Sequence, residues 1–251
     1  MRDHHHVGID DGMIGIVASH AVELRPLVQQ LQDRRNDRGV AYGRLRGVSV
    51  ALVSTGQGWE RSAVATTRLM HRTRCTGVVV TGFAGATQPG FGVGDVVIPQ
   101  EIVDMHRDGE RLDGPRYRPP LPLEVLRERL AGCGGVLGTV GGIVADPRDK
   151  EQLGRRARVV AVDLESAAAV SAAHGHGVPW VVTRIVLDPM ERPLGVVSRC
   201  HAVVLAVSVR GWGRLRRFRD DLVMAQRRLG ESVGVVVEEM NRLLDNRDVH
   251  G

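Results

Sequence analysis

The stretch Gly77-Val-Val-Val-Thr-Gly-Phe-Ala-Gly85 joins a continuous apolar run to a glycine-rich segment. The run from Gly77 to Thr81 shows no alternation of polar and apolar residues, which is typical of a strand buried on both faces of a sheet. The glycines that follow predict a turn at the carboxyl end of the strand, where backbone can approach a ligand closely. The segment therefore predicts a central strand of a helix-covered sheet with a binding site at its end.

Strand-like and helical segments alternate on both sides of this stretch. The strand-like segments share continuous apolar runs and cover 14–19, 48–54, 94–99, 136–143, 158–162 and 180–187. The helical segments carry apolar residues at a period of about 3.6 and cover 24–31, 62–70, 123–130, 165–174 and 218–244. A loop-rich stretch with Asp-Gly, Gly-Pro and Pro-Pro breakers covers 106–122. This order predicts an α/β fold with helices on both faces of the sheet.

Length and composition indicate one globular domain. The chain has 251 residues, of which 43% are hydrophobic, and this is enough for one sizeable core. We expect residues 1–12 (MRDHHHVGIDDG) to form a disordered leader and residues 13–251 to form a single domain. No apolar run reaches the roughly 18–20 residues of a membrane-spanning helix, and the N-terminus lacks a signal-peptide pattern. The sequence therefore predicts a cytoplasmic protein.

The cysteine and histidine positions argue against a metal site or a cofactor. Cys75, Cys133 and Cys200 are far apart and form no C-x-x-C motif, which favours free thiols over a disulfide framework or a zinc site. The ten histidines are scattered apart from the run at residues 4–6, and no H-E-x-x-H motif is present. We therefore predict that the protein has no metal and no cofactor.

Positive charge is concentrated in one segment. Residues 210–228 contain seven arginines and two aspartates, a local charge of +5, which equals the net charge of the whole chain. A nucleic-acid-binding domain spreads such charge over a face, so we predict no nucleic-acid partner. Because Trp212, Leu215 and Phe218 lie among the arginines, two interpretations stay open: a solvated helix face, or contact with an anionic membrane surface.

Two carboxylates stand out among the polar residues that follow predicted strands. Glu165 and Asp188 lie at the edges of apolar elements, where a carboxylate lowers stability unless it has a partner or a function. Glycine-rich turns such as Ser54-Thr-Gly-Gln-Gly58 are also typical of close helix packing and are weaker signals. The carboxylate pair is therefore the stronger indication of chemistry.

Four motifs resemble those of the purine nucleoside phosphorylase and nucleosidase superfamily in order and spacing. They are Thr81-Gly-Phe-Ala-Gly85, Val93-Gly-Asp-Val-Val97, Val162-Asp-Leu-Glu-Ser166 and Val182-Thr-Arg-Ile-Val-Leu-Asp188. The opening Ile14-Gly-Ile-Val-Ala-Ser-His-Ala-Val-Glu23 is similar to the first strand and loop of methylthioadenosine/S-adenosylhomocysteine nucleosidases. The resemblance implies a three-layer α/β/α fold with a mixed central sheet, phosphorylase/hydrolase-like, and a homo-oligomer.

One branch of the superfamily is more similar still. Gly138-Thr-Val-Gly-Gly142, Lys150 and Asp188-Pro-Met-Glu-Arg-Pro-Leu194 look like the corresponding segments of hopanoid-associated phosphorylases. Those enzymes are linked to the removal of adenine from adenosylhopane. This branch implies a role in hopanoid biosynthesis and an enzyme peripheral to the membrane.

The resemblance implies an enzyme that cleaves the N-glycosidic bond of a 5′-substituted adenine nucleoside. The purine leaves only after a proton reaches N7, and this general-acid role falls on Asp188. Glu165 is expected to bind the ribose hydroxyls, and Glu23 to deprotonate the attacking water. The implied substrate-binding residues are Gly56, Gly58, Gly82, Phe83, Ala84, Gly85, Val144, Asp163, Leu164, Glu165 and Arg184.

Departures from the family pattern leave alternatives open. Bacterial phosphorylases of the superfamily carry an arginine before a G-S-x-G loop, whereas this chain has Val78-Val-Val-Thr81 followed by Phe83 in place of the serine. A phosphate nucleophile would lack its cationic fork, so water is expected, with phosphate bound by Arg61 or Arg184 as the alternative. Leu187 replaces the usual serine before the aspartate. A second alternative is therefore a nucleoside-sensing domain that has lost catalysis.

The base-binding wall is the least defined part of the predicted site. Residues 143–147 (Ile-Val-Ala-Asp-Pro) contain no aromatic side chain that could stack on a purine, and aromatic residues make up 3% of the chain. We expect aliphatic side chains to form this wall, together with Phe83 or Trp59.

Overall fold

The computed structural model describes residues 12–106, 114–193 and 212–248. These residues form eleven strands and six helices. In chain order the elements are β1 (Met13–Ala18), α1 (Ala21–Gln30), β2 (Gln32–Asp37), β3 (Val40–Leu45), β4 (Val48–Ser54), α2 (Trp59–Thr73), β5 (Cys75–Ala86), β6 (Val96–Val97), β7 (Glu101–Asp104), β8 (Arg116–Tyr117), α3 (Glu124–Leu130), β9 (Val136–Thr139), α4 (Pro147–Ala157), β10 (Ala161–Asp163), α5 (Ser166–Gly175), β11 (Trp180–Asp188) and α6 (Trp212–Asp248).

The strands form one mixed sheet with β5 near its centre. The strand order is β2-β3-β4-β1-β5-β10-β9-β7-β8, and β11 pairs with both β5 and β6. β5 runs parallel to β1 and β11 but antiparallel to β10. The hairpin of β2 and β3 extends the sheet in antiparallel fashion beyond β4. The mixed sheet agrees with the predicted fold class.

Helices cover both faces of the sheet. Along β1, Ile14 and Ile16 belong to the core cluster that includes residues of α1, α3 and α6, whereas Val17 belongs to the cluster with α2 and α5. Successive side chains of a strand point to opposite faces, so a strand between two helical layers must be apolar at every position. This explains the continuous apolar runs and confirms the three-layer α/β/α architecture.

Several predicted elements agree closely with the structure, and β5 differs in an informative way. β4 has the predicted bounds, and β11 ends one residue later than predicted. The predicted glycine turn at 81–85 is wrong, because β5 continues to Ala86. The backbone hydrogen-bonding groups of this segment pair with β11, in which Thr183 lies opposite Thr81 and Asp188 opposite Gly85.

The sequence prediction missed β2, β3, β7, β8 and α4 and overextended β6 and β9. All six residues of β2 are exposed, so this strand carries no apolar pattern. α4 has a polar composition, although Asp146 caps its N-terminus by accepting a hydrogen bond from Arg148 N at 2.8 Å. Within the described ranges, no helix is both long and apolar enough to cross a membrane. The predicted leader, apart from Gly12, and residues 107–113 and 194–211 lie outside the described residues.

Candidate active site

The carboxylates of two residues from other elements, Glu23 and Asp188, lie next to opposite ends of the segment Gly82–Gly85 of β5. A Cβ atom on Gly82 would lie 2.6 Å from Glu23 Oε1 and would also overlap the guanidinium of Arg184. A Cβ atom on Gly85 would lie 3.2 Å from Asp188 Oδ2. Three strand residues span roughly 10 Å, so Glu23 and Asp188 face different parts of one short backbone segment. Gly82 also has a φ of +142°, a conformation that favours glycine.

Glu23 is buried near the start of α1 and is held by three hydrogen-bond donors. Its Oε2 accepts from His20 N at 2.8 Å and from the Ser19 hydroxyl at 3.0 Å, as in a helix capping box. Its Oε1 accepts from Phe83 N at 2.9 Å, which joins α1 to β5. A carboxylate oxygen has two lone pairs, so Oε1 can accept one further hydrogen bond.

Glu165 lies between β10 and α5, where it is the N-cap residue of the helix. Its Oε1 accepts a hydrogen bond from Gly58 N at 3.2 Å, and only 6% of its surface is exposed. Burial raises the pKa of Glu165 to about 7, and the negative charge of Asp163 adds to this rise, whereas Arg184 opposes it. Glu165 can therefore change its charge near neutral pH.

Arg184 and Asp163 form a buried ion pair next to Glu165. The distance between Arg184 Nη2 and Asp163 Oδ2 is 2.5 Å, and both side chains are 1% exposed. Arg184 also donates to the Ser166 hydroxyl and to the Thr81 carbonyl oxygen. Arg184 and Asp163 were both predicted to bind the substrate, which stays a prediction, and in the structure their charged groups pair with each other. Through these bonds Arg184 and Asp163 join β5, β10, β11 and the first residue of α5 behind the carboxylates.

Asp188 ends β11 and contacts Lys150 of α4. Lys150 Nζ donates to Asp188 Oδ1 at 2.6 Å, while 13% of the Asp188 side chain remains exposed. Burial raises the pKa of Asp188 to about 6, although the hydrogen bond and positive charge of Lys150 act in the opposite direction. Asp188 therefore holds a proton at higher pH than an ordinary aspartate, as a general acid requires.

The other predicted substrate-binding residues surround these carboxylates. Gly56 and Gly58 lie in the loop between β4 and α2. Gly58 N donates to Glu165, and Gly56 N donates at 3.0 Å to the carbonyl oxygen of Ser19, the residue that follows β1. Phe83, Gly85, Leu164 and Val144 are half-buried, whereas Gly82 and Ala84 are buried. Trp59 donates from Nε1 to Asp104 Oδ2 at 3.1 Å and stacks on His106. Within the described residues, no group of three or more His, Cys, Asp or Glu side chains could hold a metal ion.

Residues 13–198 match the phosphorylase superfamily, and this span contains Glu23, Glu165 and Asp188. The chain belongs to the phosphorylase superfamily. Membership confirms the family predicted from the motifs, and with it an enzyme of the nucleosidase and nucleoside phosphorylase class.

Similar proteins place this member of the phosphorylase superfamily near nucleosidases. The 5′-methylthioadenosine/S-adenosylhomocysteine nucleosidase of Chromohalobacter salexigens is 31% identical over 198 residues, which cover 70% of this chain and 83% of the relative. The nucleosidase of Neisseria meningitidis in complex with methylthio-immucillin-A has a TM-score of 0.72 at 21% identity and covers 91% of this chain and 100% of its own. Futalosine hydrolase of Helicobacter pylori has a TM-score of 0.70 at 17% identity and covers 91% and 98%.

Two serines and one backbone amide of this superfamily member support the site without a sequence signal. Ser19 and the Phe83 N–H hold Glu23, and Ser166 holds Arg184, but a single serine or a backbone amide gives no sequence signal. Lys150 was noted within a motif without a role. Nothing in the sequence pairs it with Asp188, because only the fold shows that α4 approaches the end of β11.

Proposed function

We propose that the protein hydrolyses the N-glycosidic bond of a 5′-substituted adenine nucleoside. The supporting observation is the arrangement around Gly82–Gly85, with Glu23 at one end, Asp188 at the other and Glu165 at the neighbouring glycine loop. A reaction that breaks a bond to a purine and forms a bond to water needs an acid and a base on different sides of the sugar, as in glycoside hydrolysis.

Asp188 acts as the general acid in this proposal. Its Oδ1 is bound to Lys150, whereas no residue of the described ranges donates a hydrogen bond to Oδ2. Protonated Oδ2 donates its proton to purine N7 as the bond between N9 and C1′ breaks, so the purine leaves as a neutral base. A carboxyl group whose pKa is about 6 is suited to this task because it holds its proton close to neutral pH.

Glu165 and Glu23 act on the sugar. Ionised Glu165 accepts hydrogen bonds from the ribose hydroxyls and places negative charge near the oxocarbenium-like transition state. The free lone pair of Glu23 Oε1 accepts a proton from water while the water oxygen bonds to C1′. The products are the free purine base and the 5′-substituted ribose.

Water is favoured over phosphate as the nucleophile by the charges of the site. Buried Glu23 and Glu165 would repel a phosphate anion, and the guanidinium of Arg184 is occupied by Asp163. Phosphorolysis stays as a second candidate because Arg61 lies over the glycine loop: a Cβ atom on Gly56 would be 3.8 Å from Arg61 Nη1. Release of adenine should be independent of added phosphate, and formation of a ribose 1-phosphate would reverse this choice.

The experiment that tests the function is chromatographic detection of free adenine. Purified protein is incubated with adenosine derivatives that carry methylthio, homocysteinyl, alkyl or hopanyl groups at the 5′ carbon, with and without phosphate. Asp188→Asn should lower kcat by about 10²–10⁴-fold because the general acid is lost. Asp146→Asn is the matched control, since asparagine caps a helix as well as aspartate does.

Two results would overturn the proposal. Release of no adenine from any derivative, while the protein still binds adenine nucleosides, would favour the nucleoside-sensing alternative. Full activity of Asp188→Asn would move the general-acid role to another residue. Glu23→Gln removes the base but keeps the helix cap, because the amide oxygen can still accept from His20 N while the bond from Phe83 N is lost. We expect it to lose about 1–3 kcal/mol of stability through the unpaired Phe83 N–H and at least 100-fold in kcat.

The proposed 5′ substituent is a long apolar group such as that of adenosylhopane, with a place for the enzyme in hopanoid biosynthesis. Arg192, in the turn after Asp188, pairs with Asp221 of α6 at 2.8 Å and so connects the site to the basic segment 210–228. In the described part of that segment, Arg216, Arg217 and Arg219 are exposed, as are Val223 and Met224. Cations next to apolar side chains are suited to an anionic membrane surface, where a lipid-tailed nucleoside resides.

Sedimentation with anionic phospholipid vesicles tests this part of the proposal, which places a cytoplasmic homo-oligomer at the membrane surface. Replacement of the arginines at 214, 216, 217 and 219 by serine should abolish binding, and analytical ultracentrifugation gives the oligomeric state. In the control variant, serine replaces the three exposed arginines at 155, 156 and 158, around the end of α4, and binding to the vesicles should be unchanged. Unchanged binding of the first variant, or absence of binding by the unaltered protein, would reject the membrane contact.

A further inference from the structure

Lys150 is a buried cation at the edge of the proposed site. Its side chain is 0% exposed, and its Nζ has three oxygen acceptors. They are Asp188 Oδ1 at 2.6 Å, Pro189 O at 3.1 Å and Arg192 O at 3.0 Å. An ammonium group has three N–H donors, so all of its hydrogen-bonding capacity is used within the protein. Lys150 therefore has no donor left for a substrate.

The use of lysine at this position is itself informative. The chain has 34 lysine and arginine residues, and Lys150 is the only lysine among them. Arg184 is also buried, and there a planar guanidinium matches a carboxylate, a hydroxyl and a carbonyl group that are spread along it. The three acceptors of Lys150 converge on one point, which a compact ammonium group satisfies and a planar fork does not.

We propose that Lys150 is a positioning residue that fixes the turn 188–192 and orients Asp188, so that Oδ2 is the oxygen that carries the proton to the purine. Because Lys150 donates to Oδ1, the acidic proton is directed to Oδ2, the oxygen next to Gly85. The hydrogen bonds to the Pro189 and Arg192 carbonyl groups hold the backbone that follows Asp188 in the same arrangement. The inference rests on the proposed function of Asp188 as the acid.

The charge of Lys150 also sets the protonation of Asp188. The charged groups that act on Asp188 are Lys150 from α4 and Arg192 from the turn, and β5 contributes Gly85. Both cations lower the pKa of Asp188 against the effect of burial. Loss of the lysine charge should therefore raise the pKa of Asp188, since an opposite charge at this distance lowers a carboxyl pKa by about 1–3 units.

The test compares Lys150→Met with Arg156→Met, which removes a surface cation from the same helix. Lys150→Met should lower the maximal kcat for an adenine nucleoside at least tenfold through loss of orientation. The ratio of kcat/KM at pH 9 to that at pH 5 should nevertheless rise at least tenfold, because Asp188 keeps its proton to higher pH. Arg156→Met should change neither quantity.

A substrate that needs no acid separates positioning from structural damage. The 4-nitrophenyl riboside with the same 5′ group releases nitrophenolate without protonation, so Lys150→Met should hydrolyse it within about twofold of the unaltered rate. Lys150→Arg keeps the charge but not the convergent geometry. This variant should have a lower kcat for the nucleoside but an unchanged ratio of kcat/KM at pH 9 to that at pH 5. It also supplies a test if Lys150→Met does not fold.

Outcomes that overturn the inference are distinct from failure of the proposed function. If the unaltered protein releases no adenine, the function fails, and carbon-13 NMR of the Asp188 carboxyl group still decides the role of Lys150. Asp188→Asn identifies the signal, and the pKa should rise by at least one unit in Lys150→Met. An unchanged titration, equal losses on both substrates, or unaltered kcat in both lysine variants would each reject the positioning role.

Discussion

Arg184 of β11 and Asp163 of β10 form an ion pair of 2.5 Å in which each side chain is 1% exposed. The two strands flank β5, so the pair ties together the three strands that carry the site. Asp163 also accepts from the Thr139 hydroxyl at 2.7 Å and from Ser166 N. Glu165, which is proposed to bind ribose, therefore lies close to Asp163, whose carboxylate is paired with Arg184 and accepts further hydrogen bonds.

Replacement of Arg184 by methionine should destabilise the fold strongly. It leaves the Asp163 carboxylate buried without a counter-charge, and removal of one partner of such a pair costs about 3–5 kcal/mol in the free energy of unfolding. The double variant Arg184→Met/Asp163→Asn should be more stable than the single arginine variant, because it removes the unpaired charge. Chemical denaturation of the unaltered protein, both single variants and the double variant measures the free energies of unfolding. If the losses of the two single variants add up to the loss of the double variant, the two residues are not coupled.

The activity should have a narrow pH optimum between about pH 6 and pH 7. Asp188, whose pKa is about 6, must be protonated, so activity falls as pH rises. Glu165, whose pKa is about 7, must be ionised, so activity falls as pH decreases. Near pH 6.5 about one quarter of each group has the required charge, and ~6% of the free enzyme has both. The pH dependence of kcat/KM measures this profile.

Glu165→Gln provides the control for that assignment. Glutamine cannot become protonated, so the decline of kcat/KM below pH 6 should disappear while the decline at high pH, which depends on Asp188, persists. A variant that keeps the acidic decline would show that the ionisation of another group is responsible.

The sequence predicted the fold where burial leaves a pattern. β1, β4, β5 and β11 lie between two helical layers, and their apolar runs reveal them. The continuation of β5 past Thr81 could not be predicted from its glycines. Gly82 and Gly85 are needed because Glu23, Arg184 and Asp188 occupy the space that a Cβ atom would take, and only the fold brings these neighbours together.

The site was predicted in part for the same reason. Glu165 and Asp188 are conspicuous because they interrupt apolar elements, and the family resemblance pointed to Glu23. The buried environment of Arg184 depends on β10 and α5, which approach it from a distance in the sequence. The role proposed for Lys150 depends on α4, whose polar composition hides it from a periodicity analysis.

Glu165→Gln should also stabilise the protein above neutral pH. The pKa of Glu165 is raised from 4.5 to about 7, so the folded state holds a proton that the unfolded state releases between these values, and stability declines as pH rises through this window. Glutamine removes that cost while it still accepts from Gly58 N. We expect a gain of about 3 kcal/mol at pH 8 and little change at pH 4. Urea denaturation measures the free energy of unfolding at both pH values, and Glu128→Gln, at an exposed position, is the control. Equal stability of Glu165→Gln and the unaltered protein at pH 8 would contradict the raised pKa of Glu165.

Gly82→Ala should lower kcat by displacing Glu23, the proposed catalytic base. The new Cβ atom would lie 2.6 Å from Glu23 Oε1 and would overlap Arg184, so Glu23 must move away from the Phe83 N–H. A displacement of about 1 Å at a reacting group costs about 100-fold in rate. Gly90→Ala is the matched control, because Gly90 also has a positive φ, +90°, but a Cβ atom there meets nothing within 4 Å. Both variants should lose about 1–3 kcal/mol from backbone strain. Gly82→Ala should lose more, because it also displaces the buried guanidinium of Arg184, and only Gly82→Ala should lose kcat. Thermal denaturation and adenine release measure the two effects, and normal kcat in Gly82→Ala would show that the position of Glu23 does not limit the reaction.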